Sequence, residues 1–447
     1  HWWPAEKGEP PLRLSYFDEE GNAWTYNKPT DSYYLHYFSR KQPDLNWENP
    51  EVRQEIFDMM RFWFDKGIDG FRMDSISLIA KDPSFPLIDS KKYPDIFSFY
   101  AKEPRLHLYL HEMNRQVLSK YDCMSVGEGS AVMVDDVAKF VDPAREELNM
   151  LYHFDAARIR NTTLPDNPES GIDYSLIALK KMFTEWDKAV DKGWPSIYLG
   201  NHDQPRMVSR FGSDKDEFRA LSAKMLITFL LTMRGTPYWF AGDEIGMRNI
   251  RFDHIEDYND IDTINRYKKA KAEGKDPQAV LDEQKETGRD NARTPFQWDR
   301  SPEAGFTAGT PWLKVNPDYT WINVADEEKD PTSILNYFKK VVSFRKENLS
   351  LIYGSYHLLD AENPQSYTFL RKTGADTYLI MLNFSPKAAI STPGIDMSNA
   401  HVLLDNYGDR SHMAPQKDIT LRPFEAIVFQ LNHPVYESFI DSLDLLE

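Results

Sequence analysis

The 447-residue sequence predicts an α/β fold, in which a parallel β/α barrel is followed by a smaller antiparallel β domain. From about residue 47 to about residue 349, short apolar runs alternate with longer stretches of helical periodicity, which is typical of a parallel sheet. Each apolar run ends in acidic or amide side chains, where catalytic groups lie on β/α barrels. From about residue 353, short strands are separated by turn residues, which indicates antiparallel pairing.

The predicted elements follow in chain order. Five apolar runs are predicted to be parallel strands: 70–74, 124–128, 148–155, 195–203 and 236–244. Helices are predicted over 51–65, 108–120, 225–233, 268–285 and 332–346, of which the Lys- and Glu-rich 268–285 is interpreted as a solvent-facing insertion. Antiparallel strands are predicted over 355–359, 366–371, 377–384, 401–404 and 426–431.

The charge and cysteine content exclude several classes of protein. There are 53 basic and 70 acidic residues, a net charge of −17, so we expect neither nucleic acid nor an anionic membrane as a partner. The longest apolar run, 225–233, is far shorter than the roughly 20 residues of a membrane-spanning helix. Cys123 is the only cysteine, which excludes an internal disulfide and a thiolate metal cluster. The 13% of aromatic residues suits sugar binding as well as a core.

Three acidic residues stand at the ends of predicted strands: Asp74, Glu128 and Asp203. Hydrolysis of a glycosidic bond needs two carboxyl groups that flank the bond, one protonated and one charged. Arg72 lies two residues before Asp74, so on a strand both side chains point to the same side, and the guanidinium would keep that carboxylate ionised and aimed. His202, next to Asp203, is suited to binding sugar hydroxyls. Any one acidic residue could instead cap a helix, but the three together favour catalysis.

Short motifs around these residues resemble those of a known family. GFRMD (70–74), VGE (126–128) and NHD (201–203) resemble three conserved blocks of the alpha-amylase superfamily of glycoside hydrolases. QPDLN (42–46), NHDQPR (201–206) and RDNARTPFQW (289–298) are similar to motifs of its oligo-1,6-glucosidase and alpha-glucosidase branch. The likeness extends over nearly the whole chain, with the motifs in the family's order.

The resemblance implies roles for individual residues. Asp74 would be the nucleophile, Glu128 the general acid and base, and Asp203 the carboxylate that distorts and holds the sugar. The residues implied in substrate binding are Arg72, His202 and Arg289 in the terminal glucose subsite, Phe17 as an aromatic lining of that pocket, and Ser75 directly after the nucleophile.

Ser75 and the QPDLN motif indicate different linkages. The 1,6-cleaving branch usually carries Val after the nucleophile, whereas 1,4-cleaving relatives carry a smaller or more polar residue. Ser75 would leave room for a 1,4-linked ring and offer a hydroxyl for hydrogen bonding. One such contact is worth about 1–3 kcal/mol, enough for a preference but not for exclusion. We therefore expect hydrolysis of α-1,4 links with some activity on α-1,6 links.

The resemblance also implies a (β/α)8 TIM barrel whose N-terminal strands 1–3 are absent from this chain, followed by a C-terminal antiparallel β-sandwich. Residues 1–45 would form the C-terminal part of the excursion called domain B. Residues 46–350 would form barrel strands 4–8 with a helical insertion at about 250–300, and residues 351–447 the sandwich domain. No cofactor or metal is expected in this chain, and calcium, if bound, would lie in the missing N-terminal part.

The implied function is that of a retaining, exo-acting alpha-glucosidase on short α-linked gluco-oligosaccharides or disaccharides. A sucrose isomerase or transglucosidase on the same site is an alternative, although such relatives often carry an Arg- and Asp-rich loop where this chain has QPRMVSRFG (204–212). A non-catalytic, glycosidase-like scaffold protein is a third interpretation, disfavoured because all three carboxylates are present. We expect a monomer or a homodimer, located in a bacterial cytoplasm or periplasm.

Overall fold

The structure is a computed structural model that describes residues 1–16, 21–88, 91–92, 96–374, 376–411 and 416–431. Its strands are β1 Trp2–Pro4, β2 Trp24–Asn27, β3 Ser32–Leu35, β4 Gly70–Met73, β5 Met124–Glu128, β6 Met150–Tyr152, β7 Ser196–Ile197, β8 Thr236–Pro237, β9 Ser355–Leu359, β10 Ser366–Thr373, β11 Asp376–Asn383, β12 Ala389–Ser391, β13 Ala400–Asp405, β14 Ile419–Leu421 and β15 Ala426–Leu431. Its α-helices are α1 Pro50–Asp65, α2 Ile96–Tyr100, α3 Arg105–Gln116, α4 Ala138–Val141, α5 Asp155–Thr162, α6 Leu176–Ala189, α7 Met207–Phe211, α8 Arg219–Thr232, α9 Ile261–Ala272, α10 Pro277–Thr287, α11 Asp290–Arg293, α12 Val324–Glu327, α13 Ile334–Glu347 and α14 Ser350–Tyr353.

The chain divides into two units whose segments alternate along the sequence. The first unit contains His1–Phe154, Lys188–Pro195 and Ile261–Pro277. The second unit contains Asp155–Asp187, Ser196–Asp260 and Gln278–Glu447. The domain boundaries near residues 45 and 350 stay a prediction.

The first unit contains a parallel sheet of three strands in the order β4-β5-β6. These strands are the first three of the predicted runs, and helices α1 and α3 precede β4 and β5 as the alternation predicts. Helix α1 begins after Asn49, whose side chain accepts a hydrogen bond from the N–H of Glu51, and it buries Phe57 and Phe64. Gly70 lets β4 approach β5, because a Cβ there would lie 2.0 Å from a backbone carbonyl oxygen of β5.

An antiparallel sheet in the order β1-β3-β2 lies at the start of the same unit. Its buried aromatic side chains pack with aromatic residues that follow β4 in the chain. The cluster includes Trp24, Tyr37, Phe85 and Tyr100. Aromatic side chains bury large areas, so this small sheet obtains a core of its own.

The remaining two parallel strands, β7 and β8, pair with each other in the second unit. Each is two residues long, shorter than the predicted runs 195–203 and 236–244. The residues after each strand form loops, and Gly242 has a φ of 102°, which only glycine adopts readily. The NHD motif therefore lies on a loop that follows β7. Helix α8, between the two strands in the chain, is buried on nearly all sides, as its apolar run predicts.

The predicted insertion 268–285 is not one helix. These residues form the end of α9 and most of α10, and a short connection separates the two helices. The break occurs because Gly274 has a φ of 69° and Pro277 starts the second helix. No helix in the described ranges combines the length and the apolar character needed to cross a membrane.

The C-terminal part of the second unit is an antiparallel sandwich. One layer is a five-stranded sheet in the order β13-β15-β11-β10-β9, and the other is the pair β12-β14. Both layers share a buried core, to which Leu379 and Phe429 contribute from the larger sheet and Leu421 from the pair. Strands β9 and β15 have the predicted bounds. The prediction missed β12 and β14, because runs of three residues show no readable alternation.

Candidate active site

Arg72 on β4 is the centre of a cluster at the ends of the three parallel strands of the first unit. Its Nη1 contacts Oδ1 of Asp74, and its Nη2 donates a 2.7 Å hydrogen bond to Oε2 of Glu128. Its Nε donates a 2.7 Å hydrogen bond to the hydroxyl of Tyr152. The register of the sheet places Glu128 opposite Tyr152, so three neighbouring strand ends meet at one guanidinium. The structure thus brings Arg72 and Asp74 into the contact that their spacing predicts.

Ser75 contributes its backbone rather than its side chain to this cluster. Its N–H donates a 3.0 Å hydrogen bond to Oε2 of Glu128. Its φ of 43° and ψ of 35° lie in the left-handed region, which a residue with a Cβ rarely adopts. Such a conformation is typical of functional sites, and here it points an amide at a carboxylate. The expected contact of the Ser75 hydroxyl with the leaving group stays a prediction.

The two carboxyl groups of the cluster have different environments. The side chain of Glu128 is 9% exposed and that of Asp74 is 73% exposed. Burial raises the pKa of Glu128 to about 7; the Ser75 N–H and the Arg72 charge lower it in part, and the charge and a hydrogen bond of Asp74 raise it. A carboxyl group with this pKa is mostly protonated below neutral pH and can donate a proton. Asp74 is the accessible partner.

Asp203 is held by two arginine side chains of its own unit and lies beside His202. Its Oδ1 accepts hydrogen bonds from Arg293 at 2.5 Å and from Arg289 at 3.3 Å, and its Oδ2 lies 3.3 Å from Nε2 of His202. The two arginines lie four residues apart at the short helix α11, so they project from one face. Both guanidinium groups also contact the buried carboxylate of Asp260. The structure therefore brings His202, Asp203 and Arg289 together.

Three neighbours of the predicted residues were missed by the sequence analysis: Tyr152, Asp260 and Arg293. Arg293 belongs to the RDNAR part of a motif that was already recognised, and its helical spacing from Arg289 was a usable signal. Tyr152 ends strand β6 and pairs with Glu128, but the predicted run 148–155 continues three residues further, so alignment of the predicted strand ends did not single it out. Asp260 follows no strand or motif, and no local signal identifies it.

Phe17, the predicted aromatic of the glucose pocket, lies outside the described residues. In the part of the chain that the structure describes, no group of three or more His, Cys, Asp or Glu side chains is arranged to hold a metal ion. The expectation that this chain itself binds no cofactor stays a prediction.

A pair of carboxyl groups joined by a guanidinium at the ends of parallel strands defines a glycosidase type of site on a β/α fold. The family described as alpha amylase, catalytic domain, matches residues 1–354 of this chain. The chain belongs to this family, and its fold is of the family's type, with parallel β/α strands followed by a C-terminal antiparallel β-sandwich. It is an enzyme, a glycoside hydrolase of the alpha-glucosidase type.

Two related proteins and one solved structure are similar to this chain over nearly its whole length. An oligo-1,6-glucosidase of Parageobacillus thermoglucosidasius is 47% identical over 444 residues, which cover 97% of this chain and 77% of that protein. An oligo-1,6-glucosidase of Bacillus cereus is 43% identical over 440 residues, which cover 96% of this chain and 77% of that protein. A solved structure of an isomaltulose synthase from Protaminobacter rubrum superposes with a TM-score of 0.89 at 37% identity, over 97% of this chain and 77% of that one.

Proposed function

We propose that this chain is a retaining, exo-acting alpha-glucosidase that hydrolyses α-1,4 and α-1,6 links of short gluco-oligosaccharides. The observation that carries the proposal is the pair Asp74 and Glu128: one guanidinium contacts both carboxyl groups, and burial raises the pKa of Glu128 to about 7. A glycosidase needs one carboxyl group that stays protonated and a second that does not. The similarity to two oligo-1,6-glucosidases supports the same substrate class.

In the proposed reaction, Asp74 attacks the anomeric carbon of the terminal glucose while Glu128 protonates the glycosidic oxygen. The bond to the leaving sugar breaks, and a β-linked glucosyl ester of Asp74 forms. Water then attacks the anomeric carbon, Glu128 accepts a proton from this water, and the ester bond breaks to release α-glucose.

The closeness of the two carboxyl groups supports retention. Asp74 raises the pKa of Glu128 through its charge and a hydrogen bond, and the two groups share the guanidinium of Arg72. Inverting pairs stand roughly 6.5–9.5 Å apart with a water between them, whereas retaining pairs stand about 5–5.5 Å apart. The shared guanidinium and the effect of Asp74 on the pKa of Glu128 therefore favour the shorter spacing of a retaining pair.

Asp203 is proposed to bind hydroxyl groups of the terminal glucose, the role that the resemblance to the alpha-amylase superfamily implies. Its ion pairs with Arg289 and Arg293 fix the carboxylate in one orientation, so little freedom is lost when the sugar binds. His202 beside it offers a further hydrogen-bonding group.

The stereochemical outcome tests the proposal directly. During the first minutes of hydrolysis of an aryl α-glucoside, whose only sugar product is the transferred glucose, NMR should show α-glucose, because two inversions at the anomeric carbon restore the starting configuration. If β-glucose appears first, the covalent mechanism is wrong.

Azide tests the separate roles of the two carboxyl groups. With an activated α-glucosyl donor and azide, Glu128→Gln should yield α-glucosyl azide, since azide attacks the β-linked intermediate. Asp74→Asn should yield β-glucosyl azide, because azide then replaces the missing nucleophile on the opposite face of the sugar. If Glu128→Gln gave the β-azide and Asp74→Asn the α-azide, Glu128 would be the nucleophile and Asp74 the general acid and base.

A sucrose isomerase is the second candidate, favoured by the similarity to an isomaltulose synthase structure. Such an enzyme would form the same glucosyl ester and transfer it to fructose rather than to water. Product analysis with maltose, isomaltose, sucrose and trehalose separates the two candidates. Free glucose and fructose from sucrose indicate hydrolysis, whereas an isomeric disaccharide indicates transfer.

A further inference from the structure

Trp312 is an exposed aromatic residue that is fixed to the residues around Asp203. It is 58% exposed, yet its Nε1 donates a 2.8 Å hydrogen bond to the backbone carbonyl oxygen of Arg293. The guanidinium of Arg293 in turn donates a hydrogen bond to Asp203. A single residue therefore connects the indole ring to a carboxylate of the candidate active site.

The backbone of Trp312 is attached to the same network at a second point. The side-chain amide of Asn259 donates a hydrogen bond to the carbonyl oxygen of Trp312. The backbone N–H groups of Asn259 and Asp260 donate to one carboxylate oxygen of Asp290, at 2.7 and 2.9 Å. Asp260 then contacts the guanidinium groups that hold Asp203. Both the ring and the backbone of Trp312 are thus held in place relative to Asp203.

Protein stability does not account for this arrangement. The ring of Phe306 packs against Trp312 edge-to-face, with centroids 5.0 Å apart and planes at 87°, and most of the indole stays in water. An apolar ring that is left in water gains little from the hydrophobic effect. A rigid, exposed aromatic surface is instead suited to binding, because its orientation is set before the ligand arrives. Flat CH faces of a pyranose ring are a matching surface.

We propose that Trp312 is a stacking platform for a sugar unit on the leaving-group side of the cleaved bond. The inference rests on the proposed function, in which Asp203 binds the terminal glucose through its hydroxyl groups. In an exo-acting enzyme every other sugar of the substrate lies beyond the scissile link, so a second sugar stacked on Trp312 belongs to the leaving group. The platform would favour di- and oligosaccharides over α-glucosides whose leaving group is a single atom.

The test compares substrates with and without a leaving sugar. For Trp312→Ala, kcat/KM on maltotriose and isomaltotriose should fall roughly three- to tenfold, the effect of losing one aromatic contact. On α-glucosyl fluoride, whose leaving group has no ring, kcat/KM should stay unchanged. Trp312→Phe keeps an aromatic ring but loses the Nε1 hydrogen bond that orients it, so its loss on the trisaccharides should be smaller than that of Trp312→Ala.

Trp63→Ala is a matched control. Trp63 is 46% exposed and packs edge-to-face on Phe62 at 5.3 Å, much as Trp312 packs on Phe306, and it lies on helix α1. It should behave as wild type on every substrate. Equal loss on the fluoride and the trisaccharides in Trp312→Ala, or no loss on either, would overturn the platform. If the wild type hydrolyses none of these α-glucosides, the proposed function itself is wrong.

Discussion

At the scale of single residues, the pKa of the proton donor Glu128 is set by neighbours with opposite effects. Burial disfavours the charged form of Glu128, whereas the Ser75 N–H and Arg72 stabilise that form, and Asp74 again disfavours it. Burial has the largest effect, so the pKa rises to about 7 although a guanidinium lies 2.7 Å away. An acid with this pKa serves at neutral pH, where an ordinary carboxyl group would be ionised.

The pH dependence of activity follows from this pKa. Above about pH 7, Glu128 loses its proton, so kcat/KM on maltose should decrease. Glu128→Gln should remove this alkaline limb when wild type and variant are compared on the same aryl α-glucoside, because the glutamine has no proton to lose in this pH range. The control is Glu327→Gln, which should keep the alkaline limb. Burial also raises the pKa of Glu327 to about 7, but its carboxyl group accepts a hydrogen bond from the N–H of Leu335 and has no proposed role in catalysis. An unchanged alkaline limb in Glu128→Gln would refute the assignment.

Stability should also depend on pH at Glu128. Its pKa of about 7 in the folded protein exceeds the 4.5 of an exposed carboxyl group, so folding favours the protonated form. This contribution is fully present below pH 4.5 and is lost as the pH rises through 7. Glu128→Gln is always neutral, so calorimetry should show its Tm rising relative to wild type between pH 4.5 and pH 8. A constant difference in Tm would contradict the raised pKa.

Ser75 determines the linkage preference in our interpretation. Ser75→Val should lower kcat/KM on maltose relative to isomaltose, because a branched side chain crowds a 1,4-linked ring. Val is also strained at a φ of 43°, but this strain acts on both substrates and cancels in their ratio. Ser75→Ala, which leaves the space open, is the control and should keep the ratio within about threefold. A ratio that is the same in Ser75→Val and wild type would show that Ser75 is not the selector.

At the scale of elements, a buried lysine joins helix α6 to the connection between β9 and β10. The Nζ of Lys180 donates to the carbonyl oxygens of Asp360, Asn363 and Ser366 at 3.0, 2.8 and 3.2 Å. The side chain is fully buried, and burial lowers its pKa to about 8. Three carbonyl groups therefore depend on one ammonium group.

Removal of this ammonium group should destabilise the second unit. Lys180→Met should reduce the free energy of unfolding by about 1–3 kcal/mol, since buried carbonyl groups lose their donor. The neighbouring Lys181 has a side chain that is 74% exposed, so Lys181→Met should change the free energy by no more than about 0.5 kcal/mol. Urea unfolding measures both variants. Similar values for the two would show that the carbonyl groups find other partners.

The bounds of helices and strands were predicted well where the hydrophobic pattern was long, and poorly where a single glycine or proline ended the element. Helix α1 is one residue longer than its prediction, because Asn49 and Pro50 mark its start and sixteen residues repeat the period. The insertion was predicted as one helix, since charged residues continue through Gly274 and Pro277. Strands β7 and β8 are short because their predicted runs continue into loops around Gly200 and Gly242.

At the scale of the whole molecule, the net charge of −17 determines which partners are repelled. At about 0.15 M salt, we expect no binding to double-stranded DNA by fluorescence anisotropy and no cosedimentation with phosphatidylserine vesicles. Lower salt should not create binding, because screening is then weaker and repulsion is stronger. A basic protein serves as the positive control. Binding that weakens as salt is added would reveal a cationic surface that the net charge conceals.

The sequence by itself determined that Asp74 and Glu128 lie at the ends of two parallel strands. Arg72 and Asp74 share a side because strand periodicity is a local property of the chain. Only the tertiary structure decided that Arg72 also reaches Glu128, 56 residues away, and Tyr152, 80 residues away. It likewise decided that Asp260 joins the arginines at Asp203. The physical reason is that burial and partner charges, which set the pKa of Glu128, come from segments distant in the chain.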